Sequence, residues 1–264
     1  MDTHIISDYY FFGSALPPIH IGEPVELSFQ EFKFLLEVNL NKHDQDLVGV
    51  VRRFYDIQNM RYLWMGQELD PYGILSPEEL DDSLVTGIGI PDYVYEFVEK
   101  YDEKEDRLRN FPALVSAYFQ NELPRTSGFL HEYLVFEQEW RLVFAALRAK
   151  HLDRNIMLEF QFEDPNDELV SQIIAQKDSK SYEPPARYEK IKALYETYRD
   201  APVDLYQALA EYRFSVVDER LIVDFFSIER IIGYLVQLII AEKWLELDKQ
   251  KGLEILDSIV KEKL

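Results

Sequence analysis

The sequence contains no cysteine, little glycine, and far fewer basic than acidic residues. Its 264 residues include 10 glycines, and 28 Lys and Arg stand against 49 Asp and Glu, which gives a net charge of −21. The lack of cysteine excludes disulfides, Cys-ligated zinc or iron–sulfur sites, and a cysteine nucleophile. The excess of carboxylates argues against nucleic acid as the main ligand, because phosphate affinity comes from Lys and Arg. Hydrophobic residues still make up 47% of the chain, which indicates a folded protein.

Long apolar runs and targeting signals are missing as well. The most apolar stretch, residues 231–241, is about half as long as a bilayer-crossing helix and contains Gln237. The first eight residues contain no basic segment and no apolar stretch long enough for a signal peptide, so we expect no secretory signal peptide. These features predict an intracellular protein, for which any association with a membrane would have to go through a protein partner.

Helix-start signals recur along the chain and, together with the scarcity of glycine, predict an all-α fold. Ser28 followed by Glu31, and Ser76 followed by Glu79, match the capping box, in which the two side chains satisfy N–H groups at the start of a helix. Apolar residues recur with the helical period between such signals. A further helix is expected over residues 91–101.

Longer helical patterns occupy the second half of the chain. They run over residues 128–152, 188–199 and 218–247. Segments between them, such as 177–185, are rich in proline and polar residues and predict loops. Only residues 9–18, which begin with four aromatic residues, are predicted as a short extended segment near the N-terminus.

Three stretches of the sequence align with one another. They cover residues 54–64, 135–150 and 225–235, and each places an aromatic residue before a polar one at the start of an apolar helical pattern. We predict a structural role for the shared positions, which pack or hydrogen-bond neighbouring helices. These positions are Tyr55, Asp56, Asn59, Phe136, Glu137, Trp140, Phe226, Ser227 and Glu229.

The spacing of the three stretches is nearly regular. Aligning Asp56 with Glu137 and Ser227 gives spacings of 81 and 90 residues. This period predicts that the chain is built of three similar helical units. Their expected boundaries are 1–90, 91–178 and 179–264.

The first stretch carries a family resemblance. Residues 55–63 read Tyr-Asp-Ile-Gln-Asn-Met-Arg-Tyr-Leu and resemble the tyrosine–aspartate–aliphatic–any–asparagine signature of the C-subunit family of V/A-type ATPases, whose eukaryotic members are known as the d-subunit. Residues 133–150 and 225–234 resemble a second and a third copy, although Trp140 and Arg230 stand where the signature has asparagine.

Both ends of the chain support the same resemblance. Residues 9–17 and 244–252 are similar to a C-subunit-like branch of that family found in chlamydial and related ATP synthases. The resemblance implies three helical units in a pseudo-threefold, funnel-like arrangement. It also implies a non-catalytic rotor component of a V-type ATPase or ATP synthase, which transmits torque for proton or sodium transport.

The same resemblance implies the partners. They are the central-stalk subunits and the membrane proteolipid ring, which the protein links to each other on the cytoplasmic face of the membrane. The acidic balance of the chain fits docking to basic surfaces on these partners, because complementary potentials steer association.

Motifs for catalysis, cofactor binding or metal binding are not found in the sequence. His131-Glu132 begins like a zinc-protease helix but lacks the second histidine, and Gly87-Ile88-Gly89 lacks the third glycine of a dinucleotide loop. Acidic clusters at 78–82 and 163–168 are predicted to be solvated surface near helix N-termini. We therefore predict no catalytic residue, no cofactor and no metal.

Two other classes of function stay open at this point. One is an acidic helical adaptor or scaffold unrelated to rotary ATPases, in which the repeat arises from diverged helical hairpins. The other is an enzyme, which requires a pocket with convergent carboxylates whose pKa values are shifted by their surroundings.

Overall fold

A computed structural model describes the backbone of residues 9–221 and 225–261, and the side chains of those residues up to 248. Within these ranges the regular structure is helical, which confirms the predicted all-α class. Two single turns of 3-10 helix, Leu123–Arg125 and Ala186–Tyr188, accompany the α-helices. The α-helices are α1 (Tyr10–Ala15), α2 (Phe29–Asn39), α3 (Lys42–Met65), α4 (Pro77–Thr86), α5 (Asp92–Lys100), α6 (Lys104–Arg109), α7 (Phe111–Glu122), α8 (Gly128–His151), α9 (Ile156–Glu159), α10 (Glu168–Ala175), α11 (Glu189–Tyr198), α12 (Pro202–Arg220) and α13 (Ile228–Lys261).

Backbone contacts divide the chain into two compact units. The split unit joins the described residues up to Gln45 with the described residues from Ala193 onward, and the central unit is Asp46–Lys192. The three units predicted from the repeat, and their pseudo-threefold funnel, stay a prediction.

The predicted helix starts at Ser28 and Ser76 are confirmed. The Ser28 hydroxyl accepts the N–H of Glu31, whose carboxylate accepts the backbone N–H of Ser28 at 2.9 Å. Ser76 and Glu79 form the same reciprocal pair at the start of α4. Both helices thus begin with partners for N–H groups that would otherwise have none inside the helix.

The prediction of an extended segment at residues 9–18 is wrong for residues 10–15, which form α1. The Tyr9 N–H donates to the Phe226 carbonyl at 2.8 Å, and the Gly13 N–H donates to the Tyr9 carbonyl at 2.7 Å. A β-carbon on Gly13 would come within 3.0 Å of the Phe225 carbonyl oxygen. Contacts with a distant part of the chain therefore select the helix, and the local run of aromatic residues does not reveal them.

The single helix predicted over 218–247 is also wrong, because α12 ends at Arg220 and α13 begins at Ile228. Residues 222–224 of this prediction lie outside the described part of the chain. The two helices pack against each other, and Gly233 of α13 faces Leu221 so closely that a β-carbon there would overlap the leucine side chain. Apolar periodicity continues through the connection because both helices bury an apolar face.

The split unit has its core along α13. Ile231, Leu235 and Leu238 have no exposed surface. Phe32 of α2 packs against this helix, with 5.0 Å between its ring centroid and that of Tyr234. Burial of such side chains contributes roughly 1.5–3 kcal/mol each relative to full exposure.

Aromatic side chains join α3 to two neighbouring helices in the central unit. Trp64 stacks on Phe97 of α5 with ring centroids 6.1 Å apart, and Phe54 lies 5.3 Å from Tyr118 of α7. The Tyr118 hydroxyl donates a 2.9 Å hydrogen bond to the Val50 carbonyl, so this nearly inaccessible ring keeps a partner for its polar end.

Candidate functional site

One face of α3 holds the loop that follows the helix. Asn59 makes two hydrogen bonds with the backbone of Asp70, donating to its carbonyl at 2.9 Å and accepting its N–H at 2.8 Å. One turn earlier, Oδ1 of Asp56 accepts the N–H groups of Ile74 and Leu75 at 2.8 and 3.1 Å. Because residues three apart share a helix face, the spacing of this pair places both side chains over one loop.

Arg52 and Tyr55 complete the contacts between α3 and this loop. The Arg52 guanidinium donates to the carbonyls of Tyr72 and Gly73, and the Tyr55 ring lies 5.5 Å from that of Tyr72. Burial raises the pKa of Asp56 to about 6, although the loop N–H groups and the nearby arginines lower it. The first of the aligned stretches therefore works as a loop clamp.

The second stretch lies on α8 and forms a buried ion pair instead of binding a loop. Glu137 is buried, and its carboxylate accepts the indole N–H of Trp140 at 2.9 Å and pairs with Arg141 at 2.5 Å. Phe136 is a core residue with 2% exposed surface. The guanidinium of Arg141 lies 4.5 Å from the centroid of the Phe54 ring, so the buried acid orients a cation against α3.

The third stretch surrounds the start of α13. Ser227 accepts the N–H of Arg230 at 3.3 Å, which is the role of a helix-capping residue. The Phe226 ring packs 4.5 Å from that of Tyr10, and Glu229 is half-buried in the first turn of the helix. A loop clamp, a buried ion pair and a helix cap are three unlike structures, so the aligned positions do not form one repeated site.

A buried acid of the central unit was not predicted from the sequence. Glu122 at the end of α7 is 2% exposed, and its Oε1 lies 2.8 Å from Nε of Arg53 and accepts the hydroxyl of Tyr93 at 3.2 Å. Burial, with this carboxylate alongside, raises the pKa of Tyr93 well above its ordinary range, so the phenol stays a donor. The three residues lie far apart in the sequence, and no local pattern signals the cluster.

The end of α8 is turned back by a left-handed residue. Asp153 has a φ of 52°, its N–H donates to the Lys150 carbonyl, and the next N–H, that of Arg154, donates to the Ala149 carbonyl at 2.8 Å. This hydrogen-bond pattern is a Schellman motif, which ends many helices. It brings Arg154 and the short helix α9 beside the last turns of α8.

The turn creates an open concavity of about 310 Å³ between α8 and the residues after it. We call the concavity, together with the exposed apolar residues of the turn and of α9, the α8–α9 surface. These apolar residues, named the apolar flank, are Leu152, Met157 and Leu158, which are 46%, 46% and 62% exposed. The residues that line the concavity are Trp140, Arg141, Phe144, Ala145, Arg148, Ala149, Arg154 and Glu159.

Charge on this surface opposes that of the whole chain. Arg148 is exposed and makes no ion pair with any residue that the structure describes. Arg154 pairs with Glu159 at 3.3 Å, and Arg141 pairs with the buried Glu137. Glu137 and Glu159 offset two of the three arginines, so Arg148 leaves a basic, aromatic-lined hollow with a net charge of +1 on a protein of net charge −21.

Metal-binding clusters and membrane-spanning helices are both absent from the described ranges. There, no three His, Asp or Glu side chains are grouped so that they could hold a metal ion. Across the same ranges, no helix combines the length and apolarity that crossing a bilayer requires.

Comparison with known proteins gives relatives along the whole chain. An uncharacterized protein of Chlamydia muridarum is 27% identical over 262 residues, which cover 97% of this chain and 98% of the relative. Relatives from Chlamydia trachomatis serovar D and Chlamydia pneumoniae are 26% and 27% identical, over 96% and 97% of this chain and 97% and 98% of their own. No solved structure matches.

The family comparison corrects the resemblance drawn from residues 55–63. The model of a family described as protein of unknown function (DUF2764) matches residues 6–263, and neither this match nor the relatives lead to the C-subunit family of V/A-type ATPases. The three copies of the signature also differ in what they do: Asp56 clamps a loop, Glu137 pairs with a cation and Ser227 caps a helix. The chain belongs to the family described as protein of unknown function (DUF2764).

Proposed function

We propose that this protein is a non-catalytic helical adaptor, and that its α8–α9 surface binds a segment of a partner protein that is both acidic and apolar. The observation that carries the proposal is the presence of Arg148, without an ion pair among the described residues, in a hollow lined by Trp140 and Phe144. Arginine and tryptophan are the residues that most often supply binding energy at protein interfaces.

Charge complementarity selects the acidic partner. On a chain with 49 acidic residues, most of the surface repels an acidic segment and attracts a basic one. The hollow lined by Arg141, Arg148 and Arg154 instead attracts an acidic segment, so it favours carboxylates over cations. Guanidinium groups bind carboxylates with two parallel hydrogen bonds, which adds directional specificity.

The apolar flank explains why the partner segment is also apolar. Leu152, Met157 and Leu158 expose about half or more of their surface within seven residues of sequence. Methionine and aromatic side chains are enriched at protein interfaces, which combine an apolar centre with a polar rim. The apolar flank and the charged hollow together offer both kinds of surface. A partner that brings leucine or phenylalanine next to Asp or Glu would satisfy both parts.

The hollow is built on a fixed framework. Glu137 holds the Trp140 indole and the Arg141 guanidinium, and Arg141 is packed over the Phe54 ring. Side chains held in this way lose little conformational freedom on binding, which favours affinity.

The predicted role in a rotary ATPase depends only on the resemblance that the family match corrects. The rotor position, the central stalk and proteolipid ring as partners, and the cytoplasmic, membrane-peripheral location therefore stay untested predictions. The adaptor proposal stands without them, because it depends only on the α8–α9 surface.

A crosslinking experiment tests the proposal. A photo-crosslinking amino acid replaces Leu158 in the full chain, produced in the cells that naturally make it, and the crosslinked peptide is identified by mass spectrometry. The control places the same amino acid at Arg109 of α6, whose side chain is 74% exposed. Central-stalk or proteolipid subunits among the products would identify the predicted complex.

The expected product is a partner peptide containing both carboxylates and apolar side chains, formed from position 158 and not from position 109. Absence of a product from position 158, a basic contact peptide, or crosslinks only to a second copy of this chain would each overturn the proposal.

A further inference from the structure

The split unit contains a pocket of about 420 Å³ that none of the sequence motifs predicts. Its apolar wall is formed by the segment after α1, with Leu16, Pro17 and Ile19, and by Phe214 of α12 and Phe225. Ligand pockets in proteins are commonly of this size and combine an apolar wall with a few polar groups.

Polar groups line the pocket along one side of α13. Arg230, Tyr234 and Gln237 follow one another at intervals of four and three residues, which places them on one face of the helix. Arg230 is half-buried, whereas Tyr234 and Gln237 are 3% and 4% exposed. The lining therefore combines one half-buried cation with two buried neutral side chains that can donate hydrogen bonds.

The side chain of Tyr234 brings a hydroxyl to the pocket lining. This hydroxyl is buried and has no hydrogen-bond partner among the described residues. A buried polar group without a partner costs about 1–3 kcal/mol, so native structures rarely retain one without reason. Burial, with Glu26 in its surroundings, raises the pKa of Tyr234 to about 12, which keeps the hydroxyl protonated and able to donate.

The cation of the pocket lining is Arg230. Arg230 makes no ion pair within the part of the chain that the structure describes, and its guanidinium lies 5.5 Å from the centroid of the Phe225 ring. The carboxylate that lines the pocket, Asp218, accepts the side-chain N–H of Gln237 at 3.1 Å. His20 is the remaining polar residue of the lining and is exposed.

We propose that this pocket binds a small organic carboxylate with an apolar body. The carboxylate would pair with Arg230 and accept the hydroxyl of Tyr234, and the apolar body would lie against the wall that contains Pro17 and Phe214. A phosphate-sized dianion without an apolar part would leave that wall uncovered. The pocket consists only of residues of the split unit, so this proposal does not depend on the α8–α9 surface.

Titration calorimetry on the full chain tests the proposal with benzoate, 3-phenylpropionate and hexanoate as probes. We expect one site per chain for at least one probe, and at least about tenfold weaker binding of the neutral amide of that probe, because the amide removes the charge that Arg230 recognises. Two variants, Tyr234→Phe and Arg230→Gln, are each expected to weaken carboxylate binding by about fivefold or more.

Controls separate ligand binding from folding. Tyr206→Phe and Arg199→Gln change exposed residues of the split unit that do not line the pocket, and both should bind the probe as the unaltered protein does. Tyr234→Phe should not lower the melting temperature of the free protein, since it removes a hydroxyl that has no partner among the described residues. No binding of any probe at about 10 mM, or binding that Tyr234→Phe and Arg230→Gln leave unchanged, would overturn the proposal.

Discussion

The guanidinium of Arg141 lies over the ring of Phe54, with 4.5 Å between the guanidinium carbon and the ring centroid. The same guanidinium pairs with the buried carboxylate of Glu137. Arg141 thus joins α8 to α3, because it contacts the Phe54 ring of α3 and the Glu137 carboxylate of α8. The contact fixes the helix that carries most of the α8–α9 surface.

This arrangement predicts non-additive effects of removing its two charges. Arg141→Met leaves the Glu137 carboxylate buried without its cation and should lower the free energy of unfolding by about 2 kcal/mol or more. The double variant Glu137→Gln/Arg141→Met should be more stable than Arg141→Met alone, because no unpaired charge remains. Urea unfolding of the single and double variants measures the difference; additive losses would show that the pair is not coupled.

The close contacts of Gly73 predict that a single methyl group added at this position destabilises the protein. A β-carbon at this position would overlap Asp56 Oδ1 and lie 3.1 Å from Nδ2 of Asn59, so Gly73→Ala should destabilise the protein by about 1–3 kcal/mol. Gly49 in α3 is the matched control, since among the described residues its β-carbon would meet only Ile74, at an ordinary 3.7 Å. Gly49→Ala should stabilise by up to about 1 kcal/mol, and thermal unfolding that shows the same sign for both variants would disprove the loop clamp.

Asp56 predicts a specific dependence of stability on pH. Burial raises its pKa to about 6 from an ordinary 3.8, so the folded state takes up the proton before the unfolded state as the pH falls. The contribution of Asp56 to the free energy of unfolding is therefore smallest above about pH 7. It grows as the pH falls through 6 and is complete below about pH 4.

The variant Asp56→Asn removes this titration and keeps an oxygen that can accept the loop N–H groups. Relative to Asp56→Asn, the unaltered protein should gain about 1.4 kcal/mol between about pH 7.5 and about pH 5. Urea unfolding at several pH values measures the gain. A constant difference between the two proteins would mean that the pKa of Asp56 is not raised.

Two buried tyrosines of the central unit predict opposite responses to loss of the hydroxyl. The Tyr188 hydroxyl donates to Glu139 at 2.5 Å, whereas that of Tyr182 has no partner among the described residues. Tyr188→Phe should cost about 1–3 kcal/mol, and Tyr182→Phe should be neutral or slightly stabilising. Thermal unfolding compares them, and equal losses would indicate that the Tyr182 hydroxyl is hydrogen-bonded in solution.

Local features of the fold could be predicted because their causes lie within a few residues of sequence. Ser28 and Glu31 are three residues apart, and their capping box depends on nothing else. The break between α12 and α13 could not be predicted, because it depends on Leu221 packing against Gly233 of the next helix. The helix over residues 10–15 likewise depends on the Phe226 carbonyl, which lies far along the chain.

The candidate functional site also has a part that the sequence predicts and a part that it does not. The spacing of Asp56 and Asn59 indicates one helix face, but the backbone groups they bind lie 11 to 19 residues away on a loop whose path periodicity does not describe. The α8–α9 surface needs the left-handed conformation of Asp153, which returns Arg154 to α8. That conformation is uncommon for a residue other than glycine, so the sequence alone does not reveal the surface.

Charge reversal on the α8–α9 surface is the decisive test of the adaptor proposal. The measurement is the dissociation constant of the partner segment identified by crosslinking, for the unaltered chain, for Arg148→Glu, and for Arg109→Glu on α6. Arg148→Glu should weaken binding by about tenfold or more, and Arg109→Glu should change it by less than about twofold. Equal affinity of all three proteins for the segment would show that Arg148 takes no part in binding it.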